Sequence, residues 1–313
     1  MAKSKSTRRQ SYGPDFLVIG PHKTGTTWLF HQLQLQEAIQ TTPFKEYHYL
    51  TRIPGAVNFP PNDPFFEWVA NTVTARKKLF YRGKIKMGIC EALAYFHQRP
   101  SIKRYANIFP KHDNKIVGEF APETYMINRE TIEGLRNEFP NIKLIIGLRD
   151  PVANDWSFTK MIRRLERKHN QDTDSGIMTH NQREVIINNR LKEKILTCNG
   201  GVSLFQHLSK WVDVFSRENI MFYDFNNIRN DPDYILDSIE SFLGISISTR
   251  ENLHIKINHD SSNLSIDQDF REKLIEKHTE DVKVFISSNK LQEWNHLFKQ
   301  WLDNWKQLKA NKE

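Results

Sequence analysis

Cysteine is almost missing from this chain. Cys90 and Cys198 are the only two in 313 residues, far apart and without metal-ligand spacing. That excludes a disulfide scaffold and a zinc-type site, and it predicts two buried thiols with no redox role. Long apolar runs are missing too: none approaches the roughly 20 residues that a membrane span needs. The segment Met1-Ala2-Lys3-Ser4-Lys5-Ser6-Thr7-Arg8-Arg9-Gln10 is basic with no apolar stretch behind it, so it reads as neither signal peptide nor signal anchor. Glycine and proline number 13 each and form no repeat or low-complexity tract. An acidic excess is also lacking. With 45 Lys and Arg against 37 Asp and Glu, the net charge of +8 suits a polyanionic nucleotide or an acidic acceptor, although many cytosolic proteins are as basic. The remaining balance, 38% apolar and 26% charged, is that of an ordinary soluble globular protein.

Strand-like and helix-like runs alternate along the chain, which predicts an α/β fold with a central parallel sheet covered by helices on both faces. Strands are expected at Phe16 to Gly20, Lys115 to Gly118, Lys143 to Leu148 and Ile220 to Phe225. Leu204, Leu208, Trp211, Val212 and Phe215 recur at helical spacing, so residues 203–216 read as an amphipathic helix. Asp231 with Pro232 forms a helix start, and Gly244 falls where a C-terminal glycine belongs. Residues 165–185 are polar and aperiodic and read as a mobile surface loop. A helical C-terminal part is expected over about 265–308, where Leu291, Trp294, Phe298, Trp301, Leu302 and Trp305 make an aromatic stripe that reads as core packing. The division expected is a flexible basic segment, 1–14, followed by one domain, 15–313.

The segment that carries chemistry is Gly20-Pro21-His22-Lys23-Thr24-Gly25-Thr26-Thr27, directly after the apolar run Phe16-Leu17-Val18-Ile19. A buried strand, a glycine-bounded turn and a helix start in that order aim backbone N–H groups and a helix N-terminus at one spot, an anion cradle. Nucleotide hydrolases place their lysine right after the second glycine. Here Thr26 stands there, and the lysine is Lys23, inside the loop.

This K-x-G-T-T loop resembles the 5′-phosphosulfate loop of the sulfotransferases that use 3′-phosphoadenosine-5′-phosphosulfate (PAPS). Two more segments carry the resemblance. Lys143-Leu144-Ile145-Ile146-Gly147-Leu148-Arg149-Asp150-Pro151, with Ser157 eight residues after Arg149, is similar to the family's 3′-phosphate site. Asn219-Ile220-Met221-Phe222-Tyr223-Asp224-Phe225, followed by Asp231-Pro232 and Phe242-Leu243-Gly244-Ile245, is similar to a later strand-to-helix stretch. The match runs in order over roughly residues 15 to 250. Lys45-Glu46-Tyr47-His48-Tyr49 points to the carbohydrate and heparan-type branch and its bacterial relatives.

The resemblance implies a three-layer, P-loop-like fold and sulfuryl transfer from PAPS to a hydroxyl, or an amine, of a carbohydrate or other small acceptor, with adenosine 3′,5′-bisphosphate released. Donor contacts are then expected from His22, Lys23, Thr24, Gly25, Thr26, Thr27 and Trp28, with Arg149 and Ser157 on the 3′-phosphate. Such a transfer needs a cation at the leaving oxygen, which Lys23 would supply, and a base opposite it. The branch's proposed base lands on Glu46. His48, two residues on, shares its side if the segment is extended, and it titrates near neutrality. Asp150 could imitate a Mg²⁺-holding aspartate, yet Asp150-Pro151 reads more simply as a helix cap, and no metal is expected. No nucleic-acid partner is expected either.

Two departures stand out. Heparan-type members carry a lysine where Gly118-Glu119-Phe120-Ala121-Pro122-Glu123-Thr124-Tyr125 has Phe120, which argues against a highly anionic acceptor. The family's closing loop near the nucleotide finds only a loose counterpart in Lys256-Ile257-Asn258-His259. Golgi members generally have an anchor, so a cytoplasmic, bacterial relative is expected. A phosphate-loop small-molecule kinase and a non-catalytic nucleotide-binding protein are the competing readings. Thr26 in the lysine position counts against the first, and the presence of Glu46 and His48 against the second.

Overall fold

Phe16, Leu17 and Val18 are fully or almost fully buried and make β1 (Phe16–Val18), the central strand of a five-stranded parallel sheet. A computed structural model describes residues 13–57, 64–109, 114–170, 203–254 and 265–310. The other strands are β2 (Ile39–Thr41), β3 (Ile116–Phe120), β4 (Lys143–Leu148) and β5 (Ile220–Asp224), in the order β2-β3-β1-β4-β5. Every neighbouring pair is parallel. Parallel strands covered on both faces are apolar throughout rather than alternating, as Leu144 to Leu148 shows. The helices are α1 (Thr26–Gln34), α2 (Pro64–Tyr81), α3 (Ile89–Phe96), α4 (Ile102–Tyr105), α5 (Arg129–Glu138), α6 (Pro151–Asn170), α7 (Leu204–Val214), α8 (Asn227–Asn230), α9 (Pro232–Leu243), α10 (Gln268–Ser287) and α11 (Asn295–Ala310).

The strand period of two divides the core. Phe16 and Val18 face one layer, packing with Leu29 and Leu33 of α1 and Ile235 and Ile239 of α9. Leu17 and Ile19 face the other, with Phe205 and Trp211 of α7, Phe270 of α10 and Phe298 of α11. The expected aromatic stripe is therefore core: Leu291, Phe298, Trp301 and Trp305 are buried. Local signals agree with the elements they predict. Ser203 caps α7 in a reciprocal box with Gln206, and Asp231 accepts from the Tyr234 N–H at the start of α9. Gly244 ends α9 in the left-handed region at φ 68°.

Three expectations change. β2 lies where the sequence showed only a short extended run starting at Thr41, because its three residues are too few to show a period. Helix α6 continues to Asn170, so the first residues of the expected 165–185 loop are helical, while 171–185 lie outside the described residues. Cys90 is exposed on α3 rather than buried. Cys198, the Lys256–His259 segment and residues 1–12 also lie outside the described residues.

β1 stands between β3 and β4, so the chain leaves it at the point where the strand order reverses. Open α/β sheets bind ligands in that crevice, beyond the carboxyl ends of the strands. The phosphate loop, Pro122-Glu123, Arg149-Asp150 and Phe225 all follow strand ends there, and residues 42–48 follow β2.

Candidate active site

The loop after β1 is fixed by its carbonyls. The Thr24 hydroxyl donates to Pro21 O at 2.7 Å, Arg149 Nη1 donates to Lys23 O at 2.6 Å, and the Tyr223 hydroxyl donates to Thr24 O at 2.9 Å. Across each planar peptide the N–H that follows a tied carbonyl points opposite to it. Gly25 is the N-cap of α1 with φ 87°, a conformation that calls for glycine; a Cβ there would lie 1.9 Å from Ile228 Cδ1, the movable end of that side chain. No side chain caps this helix and its first turn carries no acid. The N–H groups of a first turn have no partner within their helix, so this end suits an anion.

His22, Lys23, Thr24, Gly25, Thr26, Thr27 and Trp28 are thus brought together as one loop and helix start. Two side chains of this stretch are already engaged. The Thr24 hydroxyl spends its proton inside the loop. The Trp28 side chain is buried and donates to Leu253 O at 3.0 Å, so its backbone alone faces the helix end.

Arg149, at the end of β4, lies against the loop it was expected to complement. Its guanidinium sits 4.2 Å over the Phe225 ring, and burial lowers its pKa to about 10, against the opposing pull of Asp150. Ser157 stands half-buried on α6, next to Phe158, whose ring centroid is 5.7 Å from that of His22. Asp150 takes the cap role: Oδ1 accepts the Val152 and Ala153 N–H groups at 2.8 and 3.1 Å, and Oδ2 accepts Trp305 Nε1 at 2.9 Å. Its carboxylate is occupied by α6 and the C-terminal helix.

The Lys45–Tyr49 segment is not extended. Glu46 and His48 both have left-handed φ, 62° and 55°, an unusual state for residues other than glycine, so a period of two does not hold there. Long-range bonds hold it. The Glu46 N–H donates to Phe120 O at 2.8 Å, Arg76 Nη2 donates to Lys45 O at 2.9 Å while Nη1 donates to Glu46 O, and the Tyr95 hydroxyl donates to Tyr47 O at 2.7 Å. The two predicted residues therefore part. The Glu46 carboxylate is partly exposed and pairs with Lys45 at 2.6 Å. The His48 ring is buried, with Nδ1 2.5 Å from Glu123 Oε1, and both side chains have no exposed surface. The His48 ring is thus turned to Glu123 rather than to the side of the Glu46 carboxylate.

Glu123 is the residue the sequence reading missed. It sits on the 3₁₀ turn Pro122–Met126 after β3, beside Gly20, where an added Cβ would meet Pro122 O at 2.1 Å. Burial alone would raise its carboxyl, but the facing His48, and His22 beyond it, pull it far below the usual range. His22 is lowered by burial, while Glu123 and Glu46 act to raise it. The buried Glu123 carboxylate thus pairs with His48 and also feels the charge of His22. The available signal was an acid inside the mostly apolar Phe120–Met126 run. Glu119, also buried, accepts the Tyr105 hydroxyl, and burial raises it to about 8. Arg76 and Tyr95 carried no sequence signal, since they act over 31 and 48 residues.

Comparisons with known proteins bear on the family and the fold. Curated relatives that the chain matches are far longer than the match: the mouse bifunctional heparan sulfate N-deacetylase/N-sulfotransferase 4 is 26% identical over 241 residues, 74% of this chain and 22% of its own length. Its Caenorhabditis briggsae counterpart, numbered 1, is 24% identical over 237 residues, 74% of this chain and 23% of its own. The chain therefore spans under a quarter of these relatives. A solved sulfotransferase from Alicyclobacillus acidocaldarius shares the fold with a TM-score of 0.54 at 18% identity, over 90% of this chain and 96% of that one. The family model described as "Sulfotransferase domain" matches residues 13–307. On that match across nearly its whole length, the chain belongs to the sulfotransferase family.

Proposed function

We propose that this protein moves a sulfuryl group from PAPS to a hydroxyl or amine of a carbohydrate acceptor, releasing adenosine 3′,5′-bisphosphate. The observation that carries this reading is the pairing of an uncapped helix N-terminus, with Lys23 in its loop, and a partly exposed carboxylate, Glu46, on a clamped segment whose charge reaches His22 of that loop. The backbone of residues 22–28 would hold the 5′-phosphosulfate, and Arg149 with Ser157 the 3′-phosphate, through charge-assisted bonds.

In this reading the acceptor oxygen or nitrogen forms its bond to sulfur as the bond from sulfur to the phosphate oxygen breaks. Glu46 takes the acceptor proton, and Lys23 neutralises the charge that develops on the leaving oxygen. Fixed partners supply most of the rate by orientation. His48 acts through Glu123 and not on the acceptor. A carbohydrate fits Trp68 of α2, 42% exposed, whose ring centroid lies 4.7 Å from that of His48. The names of the similar N-sulfotransferases favour including amines among the acceptors. Among the described residues no helix is long and apolar enough to cross a membrane, and a cytoplasmic location is part of the proposal.

An acceptor screen with labelled PAPS, covering neutral, acidic and amino sugars, tests the reading. Label on one of these classes is the expected result. Tight binding of adenosine 3′,5′-bisphosphate with no transfer to any acceptor would favour a non-catalytic binder instead.

A further inference from the structure

Two unusual properties coincide in one stretch of the molecule. Between Arg76 and Arg104 nine residues are Lys or Arg and one, Glu91, is acidic. That surplus equals the +8 of the entire chain, so everything else is neutral in balance. The same stretch exposes large apolar side chains: Leu79 at 41%, Tyr81 at 66%, Ile89 at 76% and Leu93 at 49%. Helix α3 is apolar on both sides. Ala92, Ala94 and Tyr95 face the protein, while Ile89 and Leu93, four residues apart, face outward. The ends of α2 and α3 are joined by the Tyr81 hydroxyl and His97 Nε2 at 3.0 Å and by the Phe80 and Phe96 rings at 5.8 Å.

Apolar side chains among exposed lysines and arginines are the pattern of an interfacial segment, in which the apolar groups enter the acyl boundary and the cations meet phosphates. A second copy of this chain would set nine cations against nine. A soluble acidic polymer would use the charges but would leave Ile89 and Leu93 in water. We propose that the α2–α3 hairpin docks on an anionic lipid surface, with Tyr81, Ile89 and Leu93 inserting and Lys78, Arg82, Lys84 and Lys86 binding headgroup phosphates. Arg76, which holds the Glu46 backbone, lies five residues before Tyr81, about 8 Å along α2. Resting on the sulfotransferase reading above, the proposal makes the acceptor a sugar displayed at a membrane surface.

The experiment compares sedimentation of the whole chain with phosphatidylglycerol-containing vesicles and with pure phosphatidylcholine vesicles. Binding to the first and not the second is expected, weakening as salt rises. Arg82→Gln/Lys84→Gln/Lys86→Gln should lower affinity on the order of a hundredfold. Ile89→Ser/Leu93→Ser should lower it about tenfold or more. In a Cys198→Ser background, a polarity-sensitive dye on exposed Cys90 should shift to the blue on anionic vesicles. Equal binding to both vesicle types overturns the proposal. So does an Ile89→Ser/Leu93→Ser protein that binds anionic vesicles as tightly as wild type, which would mark a surface for soluble polyanions. Thermal stabilisation by adenosine 3′,5′-bisphosphate, measured on the same proteins, should be unchanged. Its absence in the wild type would sink the donor reading and leave the lipid result standing.

Discussion

On the side of the crevice proposed for the donor, the surface offered is backbone. Gly20 and Gly25 let the loop pass close to Pro122 and Ile228, and three donors from Thr24, Arg149 and Tyr223 tie its carbonyls back. On the acceptor side a segment with two residues in left-handed φ is held by side chains from far away: Arg76, Tyr95 and the Glu123–His48 pair. A cradle made of contiguous backbone tolerates side-chain change outside its glycines and the three groups that tie its carbonyls. One made of long-range side-chain ties is sensitive at each tie. That contrast predicts different failures on the two sides.

The largest effect belongs to the acceptor side. Glu46→Gln keeps size and hydrogen bonding but removes basicity, so kcat should fall about a hundredfold to ten-thousandfold, with nucleotide affinity nearly unchanged. Steady-state kinetics with a nucleotide-binding assay separate the two. Near-normal kcat would mean that the acceptor needs no base from the protein.

Next comes the tie beneath it. Glu123→Gln leaves a buried histidine facing a neutral group, and breaking a buried pair costs about 3–5 kcal/mol. Denaturant unfolding should show that loss, and Glu123→Gln/His48→Gln should recover part of it. A double variant less stable than either single one would mean the two residues act independently.

On the donor side, Lys23→Ala removes one charge and leaves the backbone cradle. Turnover should drop about a hundredfold while binding of adenosine 3′,5′-bisphosphate is partly kept. Loss of both in equal measure would show that the cradle depends on its side chain, and the contrast between the two sides would fail.

The smallest effect is on pH dependence. Burial raises folded Glu119 to about 8, so between its unfolded pKa, near 4.5, and about 8 the folded state binds the extra proton. Stability must then decline as pH rises through that window and level off above it. Glu119→Gln should flatten this decline in a plot of Tm against pH. An unchanged slope would assign the pH dependence elsewhere.

The donor side was legible because its information is local: strand, glycine turn and threonines fall within twelve consecutive residues. β1, β4 and β5 were legible as continuous apolar runs, α7 through its helical apolar spacing and α9 through its caps. The acceptor side was legible only at Glu46. The alternation that put His48 beside it assumed an extended chain, and two left-handed residues broke that assumption. Glu123 was in view yet unassigned, since its partner lies 75 residues earlier and only folding brings them to 2.5 Å. His22 likewise sits among tertiary neighbours, Phe158 and Glu123, that no spacing rule connects.

The central claim is that the loop after β1 and Arg149 hold a bisphosphorylated adenosine, and thermal unfolding with added nucleotide tests it most directly. Adenosine 3′,5′-bisphosphate at a hundred times its Kd should add about 2.7 kcal/mol of stability, well beyond AMP or Mg-ATP at the same concentration. Equal or greater stabilisation by Mg-ATP would contradict the account.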